Sequence, residues 1–455
     1  MNLPGALAWL TAHVNLETGV GIPSGADRRK NAPTLDRIKA LTELLGSPQL
    51  EFPAVHLTGT NGKTSATRMI TALFDAMNLS VGSYTSPDLS RVNERMALRG
   101  EPISDEELAA MLTRVAAVEE FIDDRPSYFE ILTAAAFDWF AQEAVHVAVV
   151  EVGVGGTWDA TSIVEAPVAV VTNVSIDHVE YLGTTLPEIA REKAGIVQPG
   201  ATLVLGETDP ELREIFEARG PGEVLVRDRD FSVRSQRLAH GGRLLDLITP
   251  TGPYDELFLP LHGSHQADNA VIALTAAESF LGERISPEVV AEAFASVRTP
   301  GRLEVVGRQP LLLLDGAHNV AGAHALLSAL DEEFATGPRT LVVGFLREKE
   351  PHEMLEALGL AVSSHLVCTR APSPRALDPM EVANAAMDLG FDRDHIDMVD
   401  SVPDAVARAL DVTAADGQVI VTGSLYTVGA ARSVLVPGDE SLPADGSSAG
   451  NVPDP

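Results

Sequence analysis

Residues 54–65 read Ala54-Val55-His56-Leu57-Thr58-Gly59-Thr60-Asn61-Gly62-Lys63-Thr64-Ser65. Four of the first five are apolar or β-branched, the exception being His56, which predicts a short buried strand. After Lys63 the apolar residues of Thr64-Ser65-Ala66-Thr67-Arg68-Met69-Ile70-Thr71-Ala72-Leu73-Phe74 follow a helical spacing. The glycines therefore sit in a strand-to-helix turn. Such a turn lets backbone N–H groups approach phosphate oxygens, and the helix N-terminus adds positive potential. Lys63 can neutralise β- and γ-phosphates, and the hydroxyl of Thr64 or Ser65 can sit on Mg²⁺. Only Thr60 and Asn61 separate the first glycine from Gly62-Lys63, two residues fewer than the general phosphate loop has.

Outward from this loop, strand-like and helix-like stretches alternate. Residues 146–153, 166–174 and 201–207 are short β-branched runs, and 128–144 is helical in pattern. After Pro300-Gly301 the alternation restarts, with strands expected near 310–316, 340–346, 364–370 and 418–424. The expected fold class is α/β: a P-loop-type, mainly parallel ATPase domain over 1–298, then a smaller Rossmann-like α/β domain over 299–437. Residues 438–455, rich in Pro, Gly, Ser and Asp, are expected to be a disordered tail.

The chain has 455 residues, enough for two or three domains at about 150 each. It has no run of about 18 apolar residues, so no membrane span is expected. The N-terminal stretch lacks a basic segment followed by a long apolar one, so no signal peptide is expected. Cys368 is the single cysteine, which excludes an internal disulfide and fits a reducing, cytoplasmic setting. The net charge of −32 repels a phosphate backbone, so nucleic-acid binding is not expected. The same charge repels nucleotides, so any nucleotide site must carry its own cations.

Further polar motifs close the strands. Tyr84-Thr85-Ser86-Pro87-Asp88-Leu89 reads alone as a turn. Glu151 ends a strand in the glycine-rich turn Gly153-Val154-Gly155-Gly156-Thr157-Trp158-Asp159-Ala160-Thr161. That puts a hard oxygen ligand at the edge where open α/β sheets bind ligands. Ser175-Ile176-Asp177-His178 follows another strand end. Lys193, in Arg191-Glu192-Lys193-Ala194-Gly195-Ile196, reads alone as a helical lysine paired with Glu192 or another acid. His262-Gly263-Ser264-His265-Gln266-Ala267-Asp268-Asn269 reads alone as an N-capping cluster. Arg302 follows the Pro-Gly hinge, Asp315-Gly316-Ala317-His318-Asn319 ends a strand, and Gly344-Phe345-Leu346-Arg347-Glu348-Lys349-Glu350 and Thr422-Gly423-Ser424-Leu425-Tyr426 end two more.

In this order and spacing, the motifs resemble those of the Mur ligase superfamily, and within it the bifunctional dihydrofolate and folylpolyglutamate synthases of actinobacteria. The resemblance runs from about residue 25 to 432. It implies an ATP-dependent amide ligase adding L-glutamate to dihydropteroate and to tetrahydrofolate polyglutamates through an acyl phosphate. It implies ATP contacts at Gly59, Thr60, Asn61, Gly62, Lys63, Thr64, Ser65, Asn269, Arg302, Asp315 and His318. Two Mg²⁺ ions would be held among Thr64, Ser65, Ser86, Glu151, His178 and a carbamylated Lys193. Lys63, Lys193 and His318 would be the catalytic groups. A pteroate patch would include Ser127, Tyr128, Phe129, Glu130, Trp158, Asp159 and Ala160, with a weaker segment around Arg29 to Ala32. Asp88 departs from the family's histidine, and Glu348 and Glu350 replace aspartates.

The phosphate loop begins at residue 59, leaving too little preceding chain for the UDP-substrate domain of the cell-wall ligases. The expected partners are small molecules only (L-glutamate with dihydropteroate or a reduced folate), the location cytoplasmic and the chain a monomer. Alternatives are a folylpolyglutamate synthase alone, another Mur-type amino-acid ligase, a non-ligase P-loop NTPase, or a non-catalytic nucleotide-binding relative.

Overall fold

A computed structural model of the chain describes residues 1–15, 17, 34–334 and 337–436. The segment from Arg29 to Ala32 and the expected tail at 438–455 lie outside the described residues.

Eight strands form the first sheet: β1 (Ala54–Thr58), β2 (Val81–Tyr84), β3 (Met96–Leu98), β4 (Glu101–Pro102), β5 (Val147–Glu151), β6 (Val168–Val171), β7 (Thr202–Leu205) and β8 (Glu223–Val226). Their order is β4-β3-β2-β5-β1-β6-β7-β8. From β2 to β8 the pairings are parallel, while β3 and β4 add antiparallel edge strands. Every residue of β1 and β5 is buried, because helices cover both faces. Val55 and Leu57 face Met69, Ile70 and Leu73 of the helix Lys63–Ala76 in one core. Ala54 and Val150 join Phe137 and Phe140 of the helix Tyr128–Gln142 in another. This alternation along the central strands holds the phosphate loop in mid-sheet.

A three-stranded antiparallel sheet follows: β9 (Ser232–Ala239), β10 (Gly242–Thr249) and β11 (Gly252–Leu259), in the order β11-β10-β9. The sequence reading missed it. These strands bury one face only, through Leu245, Leu247, Tyr254 and Leu257, so they show no continuous apolar run.

The last sheet holds β12 (Glu304–Arg308), β13 (Leu311–Leu314), β14 (Arg339–Val343), β15 (His365–Thr369), β16 (Ile396–Val399) and β17 (Gln418–Thr422). Its order is β12-β13-β17-β14-β15-β16, parallel except for β12. The helices Val320–Glu333, Pro351–Ala357 and Pro379–Asp388 cover one face. Val402–Val412 and Leu425–Leu435 cover the other. The loops after β1 and β6 meet those after β13 and β14, so a cleft forms where two sets of parallel strands end.

Candidate active site

The phosphate loop is held by the segment that follows β6. Thr60 and Asn61 donate their N–H groups to the carbonyl and side-chain oxygens of Asn173, each at 3.0 Å. Thr172 Oγ1 and Asn173 Nδ2 donate back to the Asn61 carbonyl at 2.6 and 2.9 Å. Only glycine fits the two turning points. A Cβ on Gly59 (φ 153°) would stand 1.8 Å from Thr172 Oγ1, and one on Gly62 (φ 84°) 2.3 Å from Asn269 Oδ1. Asn269 Nδ2 in turn donates to Gln266 Oε1 at 3.1 Å. The Gln266–Asn269 pair thus leans over the loop across some 200 residues of sequence. Gly62 opens the helix without a side-chain cap, leaving first-turn N–H groups available to an anion.

Two ammonium groups converge on one carbonyl here. Lys63 Nζ donates to Gly59 O at 2.9 Å and Lys193 Nζ to the same oxygen at 2.8 Å. Lys193 is 4% exposed. Burial, and then the neighbouring Lys63, push its amine down to about 7. Its hydrogen bond to the loop replaces the acid partner that its sequence context suggested.

Opposite them, Glu151 ends β5 and is 1% exposed. Thr64 Oγ1 lies 3.0 and 2.9 Å from its two oxygens, and the Ser86 backbone N–H also reaches it. Burial pushes its carboxyl up to about 6 despite these donors and Lys63. Thr64, Ser86 and Glu151 are therefore brought together, while Ser65 is buried in the helix. Among the described residues no three His, Cys, Asp or Glu side chains converge as a complete metal cage. One desolvated carboxylate with hydroxyls around it suits Mg²⁺, which takes few protein ligands and completes its shell with water and phosphate oxygens.

His178 stands exposed in the left-handed region (φ 49°) beside Asp177. Asp177 is the residue that sequence reasoning passed over. It is 6% exposed and joins the two halves of the cleft. Lys349 Nζ donates to Oδ1 at 2.6 Å, Asn319 Nδ2 to Oδ2 at 2.9 Å, and His318 Nε2 lies 3.5 Å away. Burial pushes this carboxyl up, but His178, His318 and Lys349 outweigh it and hold it well below the usual range. Asn319 also donates to Asn61 Oδ1 at 3.1 Å. No local signal marks Asp177, because its partners come from strand ends far along the chain.

On the same side, Asp315 accepts from the N–H groups of Leu303 and Ala317 at 2.9 and 2.8 Å, and burial raises its carboxyl. Arg302 donates to Gly316 O at 3.3 Å, and His318 Nδ1 to the same carbonyl at 2.8 Å. Glu348 pairs with Arg375 at 2.7 Å and Glu350 precedes the helix Pro351–Ala357 without a side-chain cap bond, while Lys349 reaches Asp177 in the cleft.

The expected pteroate patch is divided. Phe129 and Asp159 meet over Gly153, with Phe129 packed on Tyr84 at 5.9 Å. Asp159 already accepts from Val154 N (3.0 Å), Thr161 N (3.0 Å) and Thr161 Oγ1 (2.5 Å). Ser127 and Glu130 form a capping box for the helix Tyr128–Gln142, and Glu130 also receives Arg37 Nε at 3.1 Å. Trp158 faces Tyr181 at 6.1 Å, and Ala160 is buried. Tyr128 lies under the Arg95 guanidinium, 5.5 Å from the ring centre. Asp88 receives Arg95 Nε at 2.5 Å, so the departure from histidine places a carboxylate on a buried arginine.

Comparison with known proteins identifies the family of the chain. The Mur ligase middle domain matches residues 57–277, and the Mur ligase glutamate ligase domain matches 301–425. A dihydrofolate synthase/folylpolyglutamate synthase of Mycobacterium tuberculosis is 41% identical over 440 residues, 89% of this chain and 90% of that protein. A folylpolyglutamate synthase of Lacticaseibacillus casei is 35% identical, over 88% of this chain and 94% of that protein. Among solved structures, M. tuberculosis folylpolyglutamate synthase complexed with ADP and AMPPCP superposes with a TM-score of 0.87 at 38% identity, covering 96% of this chain and 99% of that one. E. coli FolC in complex with DHPP and ADP superposes with a TM-score of 0.83 at 27% identity, covering 96% and 98%. The two parallel sheets thus belong to a two-domain ligase fold, and the chain is a member of the Mur ligase family, in its dihydrofolate synthase/folylpolyglutamate synthase branch.

Proposed function

We propose that this chain uses ATP to join L-glutamate to dihydropteroate and to extend tetrahydrofolate polyglutamates by further glutamates. The observation that carries the reading is Lys63 Nζ on the Gly59 carbonyl at the uncapped start of a helix, with the desolvated Glu151 and Thr64 beside it. That ammonium and the helix N-terminus suit a nucleotide polyphosphate. The names of the relatives supply the folate acceptors.

A carboxylate has a poor leaving group, so the acceptor carboxylate first attacks the γ-phosphorus of ATP. An acyl phosphate forms and ADP leaves. The glutamate amine then attacks the acyl carbon, and inorganic phosphate departs with the bonding pair. In this reading Asn173 fixes Thr60 and Asn61 in the turn, Gly59 and Gly62 let the backbone come close to the phosphates, the first-turn N–H groups after Gly62 point at them, and Lys63 offsets the charge that builds there. Asn269 holds the nucleotide beside the phosphate loop, and Arg302, Asp315 and His318 hold it from the far side of the cleft. Phe129 and Asp159 border the acceptor. The Asp177 contacts with Lys349 and Asn319 hold the two domains, which we divide at 298/299, closed over the reactants. Closure keeps water from the acyl phosphate.

Two Mg²⁺ ions belong to this reading: one would be held by Thr64, Ser86 and Glu151, the other by His178 with Lys193 as its carbamate. They would supply Lewis-acid charge at the transferred phosphoryl group. Lys193 suits carbamylation because its buried amine, beside a second ammonium, is partly neutral near pH 7. We assign the enzyme to the cytoplasm as a monomer acting on small molecules.

The test offers purified protein ATP, Mg²⁺ and glutamate, with dihydropteroate or tetrahydrofolate supplied separately. Mass spectrometry should show an added glutamyl unit on both acceptors. Gain on tetrahydrofolate alone reduces the activity to polyglutamylation. Gain on neither overturns the reading.

A further inference from the structure

The C-terminal domain is tied to the central domain at both ends of one helix. Helix Val320–Glu333 starts at Asn319, which is bonded to Asn61 and Asp177 in the cleft. Its fourteen residues carry the chain about 20 Å, at about 1.5 Å per residue, away from the reaction loops. There Glu333, its side chain 3% exposed, meets the central domain again.

Three donors from that domain converge on the Glu333 carboxylate. Arg243 of β10 forms a short ion pair with it, His262 Nδ1 lies at 2.8 Å, and the Gly263 N–H at 2.7 Å. Glu332 takes Arg243 Nη2 at 2.8 Å, and the Phe334 ring packs on His262 at 5.0 Å. The Arg243 side chain is 2% exposed, and its Nε has no hydrogen-bond partner. A guanidinium so deeply placed is held there by the carboxylates of the other domain. His262 and Gly263 lead directly into Ser264 and the helix His265–Leu281, which carries Gln266 and Asn269. Asn269 is the residue leaning over Gly62 of the phosphate loop.

We infer that Glu333 is a positioning residue for the nucleotide. It fixes the 262–264 loop, and through the start of the following helix it sets Asn269 over the phosphate loop. Domain orientation and nucleotide affinity are thereby coupled, although Glu333 touches no nucleotide. Glu332 shares Arg243 but has no bond to the loop, so it supports the ion pair without setting Asn269.

The inference rests on ATP being the nucleotide, and direct binding of AMPPCP reads it without any acceptor. A failed ligase assay would therefore leave this test intact. Glu333→Ala should weaken AMPPCP binding by calorimetry roughly tenfold, within the range of about 5- to 150-fold common for coupled sites. KM for ATP should rise in step, while kcat at saturating ATP falls less, because bound nucleotide re-forms the arrangement. Glu333→Asp should recover part of the affinity. Glu332→Gln should leave it within about twofold, below that coupling range. If Glu333→Ala is poorly folded, Glu333→Gln serves in its place, since it keeps the shape and removes the charge. A lower Tm with unchanged AMPPCP affinity would overturn the inference, as would an equal loss of affinity in Glu332→Gln.

Discussion

The two ends of the cleft handle buried polar groups in opposite ways. At the phosphate loop, Lys63, Lys193 and Glu151 lie near one another but make no ion pair in direct contact among the described residues. Two ammonium groups share one carbonyl, and Glu151 is buried against a hydroxyl and a backbone N–H. At the expected acceptor patch, the polar groups are answered from within the chain. Asp159 accepts three hydrogen bonds from its own turn, and Ser127 and Glu130 cap a helix. Uncompensated buried charge is costly in a folded protein and is sustained where a ligand supplies the missing partner. Satisfied polar groups stabilise the fold whether or not a ligand arrives. Under the proposed function, the contrast separates residues that await a reactant from residues that shape the wall beside it.

Substitutions can break this contrast or sharpen it. The largest effect is expected at Lys193. Lys193→Ala should lower kcat by about 10²–10³-fold, the cost of removing one preorganised electrostatic group. Added short-chain carboxylic acid should restore part of the rate. Full activity in the variant would erase the distinction between the two ends.

A smaller effect is expected at Asp159. Asp159→Asn turns one of the two accepting oxygens into a donor that faces N–H or O–H groups, costing about 1–3 kcal/mol of stability. Thermal unfolding should record the loss, with KM for ATP unchanged. A large rise in KM for ATP instead would place Asp159 at the nucleotide end. The smallest effect is expected at Ser127. Ser127→Ala removes a helix cap, worth about 1 kcal/mol. Its kcat/KM should move little with either acceptor. A collapse of kcat/KM for dihydropteroate at unchanged Tm would make Ser127 a binding residue and narrow the contrast to Asp159.

The strands that carry the cleft were legible because they are buried on both faces. The runs at 54–58, 147–151 and 168–171 stand out as mostly apolar or β-branched segments, interrupted only by His56 and ended by Glu151. The antiparallel sheet of β9, β10 and β11 was not legible. It buries one face only, and arginines such as Arg234 and Arg237 occupy its open side. The glycines of the phosphate loop were legible for a similar reason: nothing larger fits against Thr172 and Asn269. Lys193 was visible as part of a motif, but its partner was not. The sequence pointed to a neighbouring acid, whereas the amine reaches a carbonyl 134 positions away. Ser127 and Glu130 carried both a capping signature and a family role, and the local geometry satisfies the first.

By itself the sequence determined the alternation of strands and helices, the phosphate-loop turn and the order of motifs that identifies the branch. These are local properties, set by side-chain period, by glycine's freedom at positive φ and by which residue ends a strand. Tertiary structure alone decided that Asp177 joins Lys349 and Asn319, that Lys63 and Lys193 share one oxygen, and that Glu333 reaches the loop before Asn269. Each of these contacts joins segments from different strand ends or different domains. Only chain closure into two facing sheets brings them within hydrogen-bond range, and burial then gives their charges the strength they lack in water.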